Sequence, residues 1–225
     1  PNSSSHAPHA LPSSSNGVGD DRDESLFYSW LRRGCLGAVG MWRFDGDLRH
    51  RLEVISGPPH PQLDPDIPVH RLNSLDLYDP ADPFRIPRSH ELRDPANIYE
   101  WLNVSTMGFP EPFLFGAKAF YFLKSQAHRF DVLHDNQSLS YGVWAMNKLV
   151  PTIATIHHPV TVDRKIAVQS VFSPWEKMKQ WRWYSFIGMQ KRVSRSLPRI
   201  ITVSKSAKRD ISRDFNITPE KFSIV

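Results

Sequence analysis

Hydrophobic positions along this chain come in short unbroken runs, each closed by a polar or turn-forming cluster. "LEVIS" (52–56) ends at Gly57-Pro58-Pro59, which cannot continue a β ladder. "VHRL" (69–72) reads as a second short strand, and 73–88 (NSLDLYDPADPFRIPR) as a proline-broken loop. After Pro110-Glu111-Pro112, the segment "FLFGAKAFYFLKSQAH" is apolar all round and predicts a buried helix. A repeating unit follows. "FDVLH" (130–134) is a strand, "SYGVWAMNKL" (140–149) a short helix and "PTIATIH" (151–157) a strand. A long helical stretch covers 168–197, with Pro174 as a break point. "RIITVS" (199–204) is a strand, "KSAKRDISRDF" (205–215) a helix with Ile211 and Phe215 at i, i+4, and "KFSIV" (221–225) a last strand. Strands that are continuous apolar runs, alternating with helices, predict a Rossmann-like doubly wound α/β domain built on a mostly parallel sheet.

That pattern begins near residue 47, so the Rossmann-like domain is expected over 47–225. Residues 1–46 form an atypical N-terminal segment. Its first 25 residues are rich in Ser, Pro, His and Asp and are expected to be disordered. Residues 26–46 hold apolar side chains without a period, and no element is assigned to them. Nothing in the N-terminus resembles the apolar core of a signal peptide.

Composition narrows the function classes. One cysteine, Cys35, excludes an internal disulfide framework and a cysteine-based zinc site, and fits a cytoplasmic location. No run of about 18 apolar residues is present, so no membrane-spanning helix is expected. A net charge of +5 suits either an anionic partner or a solvated basic surface.

In a doubly wound sheet, ligands bind beyond the carboxyl ends of the strands. The residues expected there are Ser56 to His60; His134, Asp135, Asn136 and Gln137; His157, His158 and Asp163; and Ser204 to Ser206. Each has a structural reading beside the functional one. His134 and His158 also suit capping or a bond to a backbone carbonyl. Asp135 and Asn136 are good N-caps for the following helix, and Ser204 is read first as the N-cap before "KSAKRD". His157, at the last strand position, is expected to face the crevice. A metal hydrolase using His134, Asp135 and His157 is a competing reading. It is disfavoured because His157 and His158, adjacent on a strand, point to opposite faces and no HxH or HExxH pattern occurs. No G-x-S-x-G elbow and no G-x-G-x-x-G fingerprint is present.

Four stretches in register, "FDVLHDNQSLSYG", "PTIATIHHPVTVDR", "RIITVSKSAKRDI" and "FNITPEKFSIV", resemble the N-terminal half of family 4 glycosyltransferases, retaining enzymes of the GT-B fold. The resemblance covers 48–225. "RHRLEVISGPPHP" is similar to the family's second strand, with Arg49 where a glycine usually stands. The family's first strand and glycine-rich loop find no counterpart, since no apolar strand precedes Gly17-Val18-Gly19. The resemblance implies a sugar moved from a nucleotide-sugar donor to a hydroxyl acceptor with retention, with no metal and no cofactor beyond the donor substrate. It places His157 at the inter-domain cleft as the catalytic candidate. His134, Asp135, Asn136, Gln137, His158 and Ser204 are the substrate-binding candidates. The donor-binding half is expected beyond residue 225, and the chain alone is expected to be inactive. The alternative is a non-catalytic Rossmann-like domain that binds a partner or lipid.

One segment stands outside this scheme. Residues 174–199 carry seven Lys or Arg against one Glu, interleaved with Trp175, Trp181, Trp183, Tyr184 and Phe186. Two readings stand: a core helix with a solvated basic face, or an interfacial helix in peripheral contact with anionic membrane. The second agrees with the carbohydrate or lipid-linked acceptors that the resemblance implies. No nucleic-acid module is recognised, and no nucleic-acid partner is expected.

Overall fold

A computed structural model describes residues 38–44, 50–77, 82 and 85–225. The disordered segment expected over 1–25 lies outside the described residues. The strands form one seven-stranded mixed sheet in the order β3-β2-β1-β4-β5-β6-β7, with helices on both sides. They are β1 (Ala38–Phe44), β2 (His50–Ser56), β3 (Val69–Arg71), β4 (Val132–Asn136), β5 (Thr152–Thr155), β6 (Arg199–Thr202) and β7 (Phe222–Ile224). The helices are α1 (Pro95–Ser105), α2 (Glu111–Leu123), α3 (Tyr141–Met146), α4 (Val160–Gln169), α5 (Pro174–Trp183), α6 (Ile187–Ser196) and α7 (Lys205–Phe215).

The architecture is the Rossmann-like α/β class that the alternating runs predict, with one correction at its start. Residues 38–44, whose apolar positions show no period, form β1 in the middle of the sheet. β1 runs antiparallel to both β2 and β4, with Ala38 opposite Ser56 and Val39 opposite Asp135. Ala38 to Met41 are all buried. A strand covered on both faces has no polar alternation, so periodicity does not reveal it.

The long helix expected over 168–197 is two helices, α5 and α6, preceded by a separate helix, α4, of which only the last two residues fall in that range. α4 begins at Val160, directly after Pro159, and α5 begins at Pro174, whose missing N–H costs nothing in a first turn. A 3-10 turn at Tyr184–Phe186 separates α5 from α6. α1 was not anticipated, although Asp94 is its N-cap, accepting the Ala96 N–H, and Pro95 opens its first turn.

Core residues from the sheet (Leu133, Ala154, Ile200) meet Leu123 of α2, Val143 and Met146 of α3, Val193 of α6 and Phe215 of α7. All strands except β1 point the same way. Their carboxyl ends therefore share one rim with the N-terminal end of β1, and every candidate residue lies at or just below it.

Candidate active site

The rim is built outward from the tip of β4. Asp135 is fully buried, and its carboxylate turns into the following loop. It accepts the Ser138 hydroxyl on Oδ1 and the Leu139 N–H on Oδ2 at 2.9 Å. Burial pushes this carboxyl up to about 6, against the pull of those bonds. The loop needs such a clamp. Gln137 and Leu139 hold left-handed φ of 59° and 47°, a conformation costing about 1–2 kcal/mol per residue. Gln190 of α6 adds to it, its buried amide donating to the carbonyls of Gln137 (3.1 Å) and Ser138 (3.4 Å).

The loop in turn positions His157. Gln137 clasps the chain beyond β5 at two points. Its Oε1 accepts the His157 N–H at 2.8 Å, and its Nε2 donates to the His158 carbonyl at 3.3 Å. Asn136 Oδ1 lies 3.0 Å from His157 Nε2. With a carbonyl oxygen there, Nε2 carries the proton, and Nδ1 is left as an acceptor. Nδ1 has no partner among the described residues and is not sealed from solvent. Burial, then the neighbouring His158, lowers the basicity of the ring, so it is neutral near pH 7.

The other predicted residues divide. His134 lies one strand step below as the floor of the site, 3% exposed, with Nε2 2.7 Å from Thr155 Oγ1. Burial holds it down at about 4, so it too is neutral. His158 turns outward to Asp163 at 2.8 Å, where it braces the first turn of α4. Ser204 caps α7, accepting the Ala207 N–H at 3.0 Å. The structure thus brings His134, Asn136, Gln137 and His157 together. Asp135 and Ser204 serve the backbone. His157 itself sits two residues beyond the last residue of β5 rather than on the strand.

The same rim holds a pocket that the sequence did not reveal. It opens past the carboxyl ends of β2 and β3, against α1 and α2. Pro58, Leu114 and Phe115 form apolar walls, and Glu100, Glu111 and Lys118 bring charge. Glu100 is 3% exposed and accepts the Leu75 N–H at 3.2 Å, with burial raising its carboxyl. Lys118 donates to the Asn73 carbonyl at 2.5 Å. Glu111 is pushed up to about 7 by burial, then by the charges of Glu100 and Asp76. The sequence signal was a lone Glu at the head of an otherwise apolar helix, with Lys118 two turns on.

A carboxyl raised on folding contributes stability below its unfolded value near 4.5. That contribution is lost as pH rises through about 7. Glu111→Gln removes the penalty of the charged form. It is therefore expected to raise Tm at pH 8 by at least about 2 °C and to leave Tm at pH 5 within about 1 °C. Thermal unfolding at the two pH values checks this, and an equal change at both contradicts it.

Among the described residues, no three His, Cys, Asp or Glu side chains are grouped so as to hold a metal ion. The rim of the doubly wound sheet thus carries a neutral imidazole and, in the neighbouring pocket, two carboxyls raised by burial. The sequence profile described as Glycosyltransferase Family 4 matches residues 47–225, and the chain belongs to that family. It is also 43% identical over 181 residues to the MMP alpha-(1->4)-mannosyltransferase of Mycolicibacterium hassiacum. That alignment covers 80% of this chain and 44% of the relative, so the chain spans less than half of the relative's length.

Proposed function

We propose that the protein of which this chain is a part transfers a mannosyl group from a nucleotide-activated donor to a carbohydrate hydroxyl, with retention. This chain supplies the acceptor side of the cleft. The observation that carries the reading is the His157 constellation: a neutral ring fixed by Asn136 and Gln137, its Nδ1 open at the rim where six strands end. Membership of the family and the mannosyltransferase relative support it.

In such a transfer the bond from the sugar C1 to the leaving diphosphate oxygen breaks, a new C1–O bond forms to the acceptor on the same face, and the acceptor's hydroxyl proton passes to the departing diphosphate. Positive charge grows on the sugar ring and negative charge on the leaving group. A neutral imidazole at the ring accepts a sugar hydroxyl without opposing either charge. The neighbouring pocket then receives the acceptor. Glu100 and Glu111 bond its hydroxyls, and the proline and phenylalanine walls pack on its apolar face. One cysteine and a nucleotide-activated donor fit a cytoplasmic site of action.

The test is a panel of sugar nucleotides offered to the whole protein with carbohydrate acceptors, the product's linkage being read by NMR. Activated mannose is expected to yield an α-mannoside. Transfer from a different sugar would replace the donor assignment. Absence of transfer from every donor would favour a non-catalytic binding domain.

A further inference from the structure

Two helices of this domain do something a soluble domain normally avoids. α4 and α5 contain no buried residue between them, whereas α6 buries Ile187, Met189, Gln190, Val193 and Ser194. The hairpin is nevertheless firmly seated. Arg182 donates to Asn103 of α1 at 2.8 Å, Trp183 stacks on Phe109 with ring centroids 5.1 Å apart, and Thr161 donates to Asp214 of α7 at 2.5 Å. Its inner side is therefore occupied, and a set of large apolar side chains is left outside. Phe172 in the connecting loop is 92% exposed, Trp175 60%, Trp181 54% and Met178 50%. Trp175, Met178 and Trp181 follow one another at three-residue steps along α5.

Cations are interleaved with these side chains. Arg164 lies over the Trp181 ring at 4.4 Å, and Lys179 lies 5.6 Å from the Trp175 ring. Lys165 and Lys177 are exposed and form no ion pair among the described residues. Against these cations the hairpin carries two acids, Asp163, which meets His158, and Glu176.

We propose that the α4–α5 hairpin is a docking surface for an anionic lipid bilayer. Phe172, Trp175, Met178 and Trp181 enter the headgroup region, and Arg164, Lys165, Lys177 and Lys179 meet its negative charge. Indole rings are at home where one edge is apolar and the other wet, and basic side chains gather at anionic leaflets. The ring–cation pairs place both kinds of group at one depth. A protein partner would need an acidic surface and a hydrophobic one superposed, whereas a bilayer of anionic lipid offers both everywhere. No helix among the described residues is long and apolar enough to cross a membrane, so the hairpin lies on the surface. Because α4 starts two residues after His158, docking would hold the rim close to the lipid plane. The proposal does not depend on which sugar is transferred.

Flotation of the whole protein with vesicles tests it. Vesicles of phosphatidylcholine alone are compared with vesicles containing about 30 mol% phosphatidylglycerol, with tryptophan emission followed alongside. Flotation with the anionic vesicles only is expected, with a blue shift and with release by high salt. The double variants W175S/W181S and K177E/K179E should each lower the bound fraction at least about fivefold while keeping the wild-type Tm. Equal partition to both vesicles, no partition, or variants that float like wild type would each overturn the proposal. Tryptophans already shielded from acrylamide without vesicles, together with no flotation, would assign the surface to another part of the polypeptide.

Discussion

His157→Ala in the whole protein is expected to lower kcat/KM at least about tenfold, which is about 1.4 kcal/mol of transition-state stabilisation. The expectation rests on how much of the rim is devoted to this ring. Asn136 fixes its tautomer, and Gln137 holds the backbone on either side of it. Burial keeps it neutral. A side chain placed only for packing does not need an open nitrogen. The substitution leaves the Gln137 clasp in place, because that clasp holds the backbone of residues 157 and 158. The loss should therefore fall mainly on kcat, with Tm little changed. Gln137→Ala tests the support instead. Without the clasp the ring is free to move, and a smaller loss spread over kcat and KM is expected. Unchanged turnover of the His157 variant, with its fold intact, would remove the catalytic assignment.

Gly142→Ala is expected to be the most damaging small substitution in the domain. Gly116 of α2 and Gly142 of α3 meet where the two helices cross, so close that a Cβ at 142 would stand 1.9 Å from the Gly116 carbonyl oxygen and 2.8 Å from its Cα. A Cβ at 116 would meet Ser140 Oγ at 1.6 Å, and Ser140 is the N-cap of α3. The obstacle at 142 is backbone, which no rotamer change relieves, so the helices must separate and open the core around Val143 and Met146. A cost of at least about 3 kcal/mol is expected, lowering Tm by about 6–12 °C. Gly188→Ala is the control. It lies in a helix with nothing within 4 Å of its added Cβ, and it should hold or slightly raise Tm, since Ala is the better helix former. Equal Tm values for the two variants would contradict the close crossing.

How much of this was legible depended on burial. β4, β5 and β6 were readable because each is an apolar run stopped by a polar tip, and the runs set the fold class. α7 was readable from Ile211 and Phe215 at i, i+4 behind a serine cap. β1 was not, because its buried start, Ala-Val-Gly-Met, looks the same whether it forms a strand, a helix or a loop, and only its neighbours in the sheet decide. The same holds for Glu100 and Glu111. They lie 11 residues apart on different helices, and only the approach of α1 and α2 to the ends of β2 and β3 makes them face one pocket.

Read alone, the chain settled that strand tips would gather polar groups on one rim, because order and spacing of the apolar runs dictate a doubly wound sheet and its ligand-binding edge. It also marked His157 as the residue to watch. Folding then assigned the roles. The parallel pairing of β4 with β5 put His134 beneath the site beside Thr155, while the turn after β4 drew Asp135 inward to its own backbone and left Asn136 and Gln137 to hold His157, with His158 turned outward to Asp163. Those outcomes hang on a left-handed kink at Gln137 and on contacts some 20 residues apart in sequence, and local patterns of polarity carry no record of either.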